Sequence, residues 1–241
     1  MLSVRASDEF GRNAGLRYWR EPVICCDSVW EENYARFETP EEEIRKFMRR
    51  FRQLGARRWQ RDARILDLFC GRGSGLKALE GLGFRRLEGV DLSEPLLMQY
   101  SGPAQLYVGD AGELKVEDAS IDIVVVQGGL HHLPVLDKDL GRVLREIHRV
   151  LKSNGRFVLV EPWETVFLRM IHFMCRQALL RRGWSKLGAL AAMIEREQET
   201  YFHWLNRPQF ILSALSRFFV PELQHTSWGK LRFVGRKLIN S

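Results

Sequence analysis

The sequence predicts an α/β fold in which a mostly parallel sheet carries helices on both faces. Three observations lead there. Ile65 to Asp91 reads as a buried strand, a glycine turn, a helix, and a second strand ending in a carboxylate. Ile121 to Val126 is an unbroken apolar run rich in β-branched residues, as expected of a central parallel strand. Asp137 to Lys152 then gives an amphipathic helix with Leu140, Val143, Leu144, Ile147, Val150 and Leu151 inward, and Asn154-Gly155 turns the chain into a further strand, Arg156 to Val160.

Within the first unit, Gly71, Gly73 and Gly75 carry no Cβ, so a ligand can lie against bare backbone. Leu76, Leu79 and Leu82 recur at helical spacing, and Gly83 stands at the C-cap. Asp91, 24 residues beyond Asp67, ends the second strand, where a carboxylate can accept both hydroxyls of a ribose. A nucleoside-containing cofactor is the natural occupant. Leu76 takes the place of the third glycine of a dinucleotide fingerprint, and Asp67 at the mouth of the turn repels a pyrophosphate but suits an ammonium or a sulfonium. S-adenosylmethionine has both cations and no phosphate.

Four blocks in order extend this: Ile65 to Gly75, Leu87 to Glu94, Val108 to Ala111, and Ile121 to Leu133 followed by Leu144 to Gly155. With them, about Trp30 to Pro162 resembles the class I (Rossmann-like) S-adenosylmethionine-dependent methyltransferases, close to the small-molecule group that includes quinone-pathway enzymes. The resemblance implies a seven-stranded sheet of order 3-2-1-4-5-7-6 with the last strand antiparallel. It also implies that Asp110 meets the adenine amino group, that Ala111 packs on the ring, and that Leu92 and Gln127 complete the cofactor set with Asp67, Phe69, the three glycines and Asp91. A loop-capping role is the other reading of Asp110. At Phe69 the sequence departs from the family, which usually has glycine. Trp30 to Tyr34 resembles the segment that closes over the cofactor in related enzymes, so Tyr34 contacts the methionine end or else packs against the sheet edge.

Residues 1–38 thus read as an extension and lid segment, its first part, Met1 to about Ala14, polar and poorly ordered. Residues 39–241 read as the methyltransferase domain, with a helical cap inserted at about 163–218. Thr39 and Glu42 form a capping box with Pro40 at the first helical position. The stripe Ile44, Phe47, Met48, Phe51 and Leu54 leaves Arg45, Arg49 and Arg52 facing outward or toward an anionic substrate.

After the central strand, His131 and His132 border the expected transfer site. They are candidate bases or packing residues, and Glu161 either orients a substrate group or caps the next helix. Three helical pieces follow: Trp163 to Arg182, Ser185 to Leu205 and Pro208 to Phe218. His172, Tyr201, His203 and Trp204 are their candidate substrate contacts. An apolar, methionine-containing cap suits an apolar, aromatic or lipid-linked acceptor. Gly229 between Glu222 to Trp228 and Lys230 to Leu238 marks a closing hairpin.

The composition is that of a globular chain of 241 residues with formal charge +7. Nine Lys or Arg lie between Arg45 and Arg64 without interleaved stacking aromatics, which favours a solvated helix face over a nucleic-acid footprint. Cys25, Cys26, Cys70 and Cys175 show no disulfide or metal spacing, and no metal is expected. No signal peptide or membrane-spanning run is read, so a cytoplasmic location is expected. The expected function is S-adenosylmethionine-dependent methyl transfer to a small molecule by in-line displacement. The alternatives are an RNA or protein methyltransferase using the basic helix, and a non-catalytic cofactor-binding scaffold. Oligomeric state is not legible.

Overall fold

A computed structural model describes residues 15–21 and 28–238. Met1 to Ala14, Cys25 and Cys26 lie outside the described residues. In chain order come β1 (Leu16–Tyr18), α1 (Ser28–Phe37), α2 (Pro40–Gln53), β2 (Arg64–Leu68), α3 (Ser74–Gly81), β3 (Arg86–Asp91), α4 (Glu94–Leu97) and β4 (Gln105–Val108). Then follow β5 (Ile121–Gln127), α5 (Leu136–Val150), β6 (Leu151–Pro162), α6 (Val166–Arg176), α7 (Ala178–Gly183), α8 (Ser185–Arg196), α9 (Gln198–Leu205), α10 (Pro208–Ser216), β7 (Phe219–Ser227) and β8 (Lys230–Lys237).

The sheet has eight strands in the order β1-β4-β3-β2-β5-β6-β8-β7, which corrects the expected count of seven and its order. The added strand is Leu16–Tyr18, which pairs in parallel with β4 at the edge. Two or three apolar residues are too short a run to carry a strand signal in sequence. β8 is antiparallel to both its neighbours, β6 and β7.

Each face of the sheet carries its own core. On one side α5, α9 and α10 bury Leu140, Ile147, Trp204 and Ile211 against Phe157 and Phe233. On the other, α2 and α3 bury Phe51 and Leu79 against Ile65, Val125 and Val158. Both halves of the Thr39–Glu42 capping box are formed, so α2 starts where its sequence says. Arg45, Arg49 and Arg52 are exposed, whereas Lys46 and Arg50 on the adjoining face are half-buried.

Two local expectations change. Asn154-Gly155 lies inside β6, at a register shift opposite Ile121 and Ile123, and not in a helix-to-strand turn. The cap is five short helices where three are predicted, because Gln177 adopts extended backbone and Glu197 (φ −107°, ψ 12°) leaves the helical region, breaking the two longer runs. The closing hairpin turns on Trp228 and Gly229, at φ 51° and 70°, the left-handed pair that a two-residue hairpin requires.

Candidate functional site

The site lies at the carboxyl ends of β2, β3, β5 and β6, where open α/β sheets bind ligands. The chain leaves β2 through Phe69 (φ 56°), Gly71 (φ 51°) and Gly73 (φ 78°) before entering α3. Positive φ at Phe69 explains the usual glycine there: the bend demands a left-handed residue, and this chain supplies it at a steric cost. The Phe69 ring rests on Gly129, where any Cβ would collide with it. A Cβ on Gly73 would strike the Tyr100 ring, and one on Gly75 would strike Oδ2 of Asp67. The glycines therefore let Tyr100, Asp67 and Phe69 pack directly on the backbone of the turn and the facing loop.

Two acids define its charge. Asp67 is buried at the end of β2, with its pKa raised to about 8 by burial and by the neighbouring Asp91 and Glu43. Among the described residues it has no hydrogen-bond donor. Asp91 is differently placed: its Oδ2 takes the N–H of Gly71 and its Oδ1 that of Ser93, each at 2.8 Å. It thus braces the turn against β3, with lone pairs left over for further donors. Burial pushes its carboxyl above the usual range, against the pull of those amides. Leu92 follows, half-buried.

Asp110 closes its own loop on the N–H of Gly112 (2.7 Å) and pairs with Arg142 (3.1 Å), and Ala111 beside it is buried. The loop-capping reading of Asp110 is thus realised in the structure. Gln127, at the end of β5, buries both side-chain polar atoms without a partner among the described residues. So does the Trp30 indole Nε1.

The lid segment does reach the turn. Tyr34 hydrogen-bonds Glu43 and lies under the Arg72 guanidinium, 4.7 Å from ring centre to Cζ. Arg72 is in turn held by Glu43 at 3.0 Å. Trp30 stacks on Tyr34 and meets His132 edge-on at 6.3 Å.

Beyond β5, Glu161 is fully buried and organises the loop. Its Oε1 accepts from Gly129 and Leu130 at 2.8 Å each, and its Oε2 from Nδ1 of His131 at 2.7 Å. It does not cap the next helix, which Thr165 caps, and its two oxygens serve this turn. The carboxylate accepts here, so Nδ1 of His131 is the donor. The His132 ring lies 4.0 Å from that of His131. Burial and that neighbour push the His132 imidazole well below the usual histidine range.

The cap candidates divide. His172 bonds the Tyr201 hydroxyl at 3.1 Å, and the Tyr201 ring meets that of His131 edge-on, so these two join the site. Trp204 and His203 do not. Trp204 is buried in the core with its Nε1 on the Pro162 carbonyl at 2.8 Å, and His203 is exposed, 3.7 Å from Asp137. Helical periodicity around Tyr201 turns these neighbours to other faces.

Sequence reading missed a cationic corner where α2 faces β8. Lys230 and Arg232 stand opposite Pro162 and Val160 of β6, Arg232 Nε is buried and unpaired, and Arg50 has no ion pair among the described residues. Burial, reinforced by repulsion from Arg50, lowers Lys230 to about 7, and burial, reinforced by Arg232, lowers Arg50 to about 10. The signal was present, since Lys46 and Arg50 are one turn apart on the edge of the apolar stripe, but the exposed arginines obscured it.

Residues 66–159 match the family described as a methyltransferase domain. The matched segment is similar to that domain. It contains β2 through most of β6 and hence the whole glycine turn. Over 121 residues the chain is 36% identical to the ubiquinone/menaquinone biosynthesis C-methyltransferase of Rubrivivax gelatinosus, covering 48% of this chain and 45% of that protein. The chain spans about half the length of the curated relatives it matches. In fold it is similar to the PH0226 protein of Pyrococcus horikoshii (TM-score 0.66, 19% identity, 88% of this chain and 100% of that one). It is also similar to an S-adenosylmethionine-dependent methyltransferase of Mesorhizobium loti (TM-score 0.52, 20% identity, 78% and 97%).

Similarity to methyltransferases implies S-adenosylmethionine as the cofactor, and the residues at the bend fit it. A buried carboxyl without a hydrogen-bond donor (Asp67) and an orphaned amide (Gln127) stand at the carboxyl ends of the neighbouring strands β2 and β5. No helix among the described residues is long and apolar enough to cross a membrane.

Proposed function

We propose that this chain is an S-adenosylmethionine-dependent methyltransferase acting on a small-molecule acceptor, with an apolar or aromatic body. The observation that carries this is the buried, donor-free Asp67 at the glycine turn, with the orphaned Gln127 on the neighbouring strand. An α-ammonium is the ligand group that would ionise and satisfy such a carboxylate.

When bound, the cofactor supplies an electrophilic methyl carbon. The chain's own residues do the rest by holding, aligning and drying, and positioning can contribute about 7–11 kcal/mol of a displacement barrier. Asp91 would receive the ribose hydroxyls and Tyr34 with Arg72 would cover the turn, which a bracing role and a lid contact both support. His132, kept neutral, is in the state a general base needs, and Trp30 lies over it. His131 is oriented by Glu161, and His172 and Tyr201 face it from the cap. Arg50, Lys230 and Arg232 add a corner suited to a negatively charged or electron-rich part of the acceptor.

Calorimetric titration with S-adenosylhomocysteine tests the reading. Saturable binding is expected, with at least tenfold loss in Asp67→Asn, and no binding to the unaltered chain would refute it. A second reading, a cofactor-binding scaffold without turnover, is favoured only by Phe69 standing in a left-handed position against Gly129. Labelled methyl transfer to any acceptor from an extract of small molecules eliminates it.

A further inference from the structure

We propose that α6 and α7, with the hairpin tip at Trp228, form a surface that docks on anionic lipid bilayers. α6 has two unlike faces. His172 and Cys175 turn inward, His172 onto Tyr201, while Val166, Met170 and Phe173, spaced four and three residues apart, face solvent. Leu179 and Leu180 of α7, and Trp184 just after it, are exposed as well. At the other end Trp228 meets Phe167 edge-on at 5.0 Å. These are not marginal exposures: Val166 stands at 75%, Phe173 at 63%, Leu179 at 82%, Trp184 at 56% and Trp228 at 71%. A soluble chain rarely keeps so many large apolar groups contiguous in water.

The charges around the patch select the occupant. Arg176 and Arg182 are exposed and have no ion pair among the described residues, and Arg169 projects beside Met170 with only a 3.4 Å contact to Glu164. Apolar side chains at one level, tryptophans at both ends and arginines at the rim match the layering of a bilayer interface. Tryptophan prefers the headgroup level, and arginine reaches anionic headgroups while its stem stays apolar. A second copy of this chain would bring the same arginines face to face, so like charges oppose that occupant.

The test is partition of the full chain onto sonicated vesicles of phosphatidylglycerol and phosphatidylcholine, read by co-sedimentation and by a blue shift of tryptophan emission. Binding to the mixed vesicles is expected, about tenfold or more weaker on pure phosphatidylcholine and in 0.5 M salt. The Phe173→Ser and Arg182→Glu variants should each lose about tenfold, with affinity for S-adenosylhomocysteine unchanged. Both positions are exposed, so folding is not at stake, and a near-ultraviolet circular dichroism spectrum confirms it. No partition on either vesicle, or equal partition by both variants, overturns the proposal. So does a dimer in light scattering that Phe173→Ser dissolves while vesicles are ignored. None of these outcomes bears on cofactor binding, which the S-adenosylhomocysteine titration reads separately.

Discussion

Nδ1 of His131 lies 2.7 Å from Oε2 of Glu161, and the other oxygen of that carboxylate holds two successive backbone amides of the same loop. One buried acid from β6 therefore shapes the turn that leaves β5. Replacing it leaves three donors buried without an acceptor. Glu161→Ala should cost about 3–5 kcal/mol and Glu161→Gln, which keeps an acceptor oxygen, about 1–3 kcal/mol. Urea unfolding of the three proteins measures the order.

Gly75 has no room for a methyl group, because its Cβ would fall on Oδ2 of Asp67, and that carboxyl is packed against α3. Gly75→Ala is expected to destabilise by about 1–3 kcal/mol and to displace Asp67 from the turn. Thermal unfolding reads the first effect, and titration with S-adenosylhomocysteine reads the second as a loss of at least tenfold.

Asp67 and His132 give opposite pH dependences. Asp67, raised from 3.8 to about 8, keeps its proton in the folded chain over a range where the unfolded chain has lost it. The folded state therefore binds more protons there, and stability from this group falls as pH rises from about 4 to 8. His132, lowered below 6.5, stays neutral when folded while the unfolded chain takes a proton, so its share of stability falls as pH drops below 6.5. Asp67→Asn should flatten the alkaline decline, and His132→Asn the acid one, in denaturation midpoints measured from pH 5 to 9. A cationic ligand that ionises Asp67 should also release a proton, visible as a dependence of binding heat on the buffer's ionisation enthalpy.

At the hairpin tip, Gly229 sits at φ 70° with Leu168 packed against it. Gly229→Ala should cost about 1–2 kcal/mol from the left-handed backbone alone. Because Gly229 N–H also bonds Thr165 Oγ1, the N-cap of α6, hydrogen exchange in the first turn of α6 should quicken in that variant.

Much of this was legible along the chain. The strand–turn–helix–strand unit at Ile65 to Asp91 carries period, glycines and acids within a short stretch, so local pattern sufficed. The capping box of α2 was equally plain, since both partners are three residues apart. The cap divides more finely than its sequence suggests because its apolar positions run on through Gln177 and Glu197, whose non-helical backbone has no strong sequence sign. Trp204 looked like a pocket residue because an aromatic in an amphipathic helix declares only that one face is buried, not against what.

The sequence by itself determined the class of sheet, the glycine bend after β2 and the acids flanking it, because each depends on side chains close in the chain. Tertiary structure alone decided which groups are spent and which are free. Glu161 went to the Gly129 loop, Asp91 to bracing the turn and Asp110 to Arg142, while Asp67, Gln127 and Arg232 Nε were left without partners. The reason is physical: hydrogen bonds and ion pairs between residues about thirty apart arise only when strands are laid side by side, and no local period encodes them.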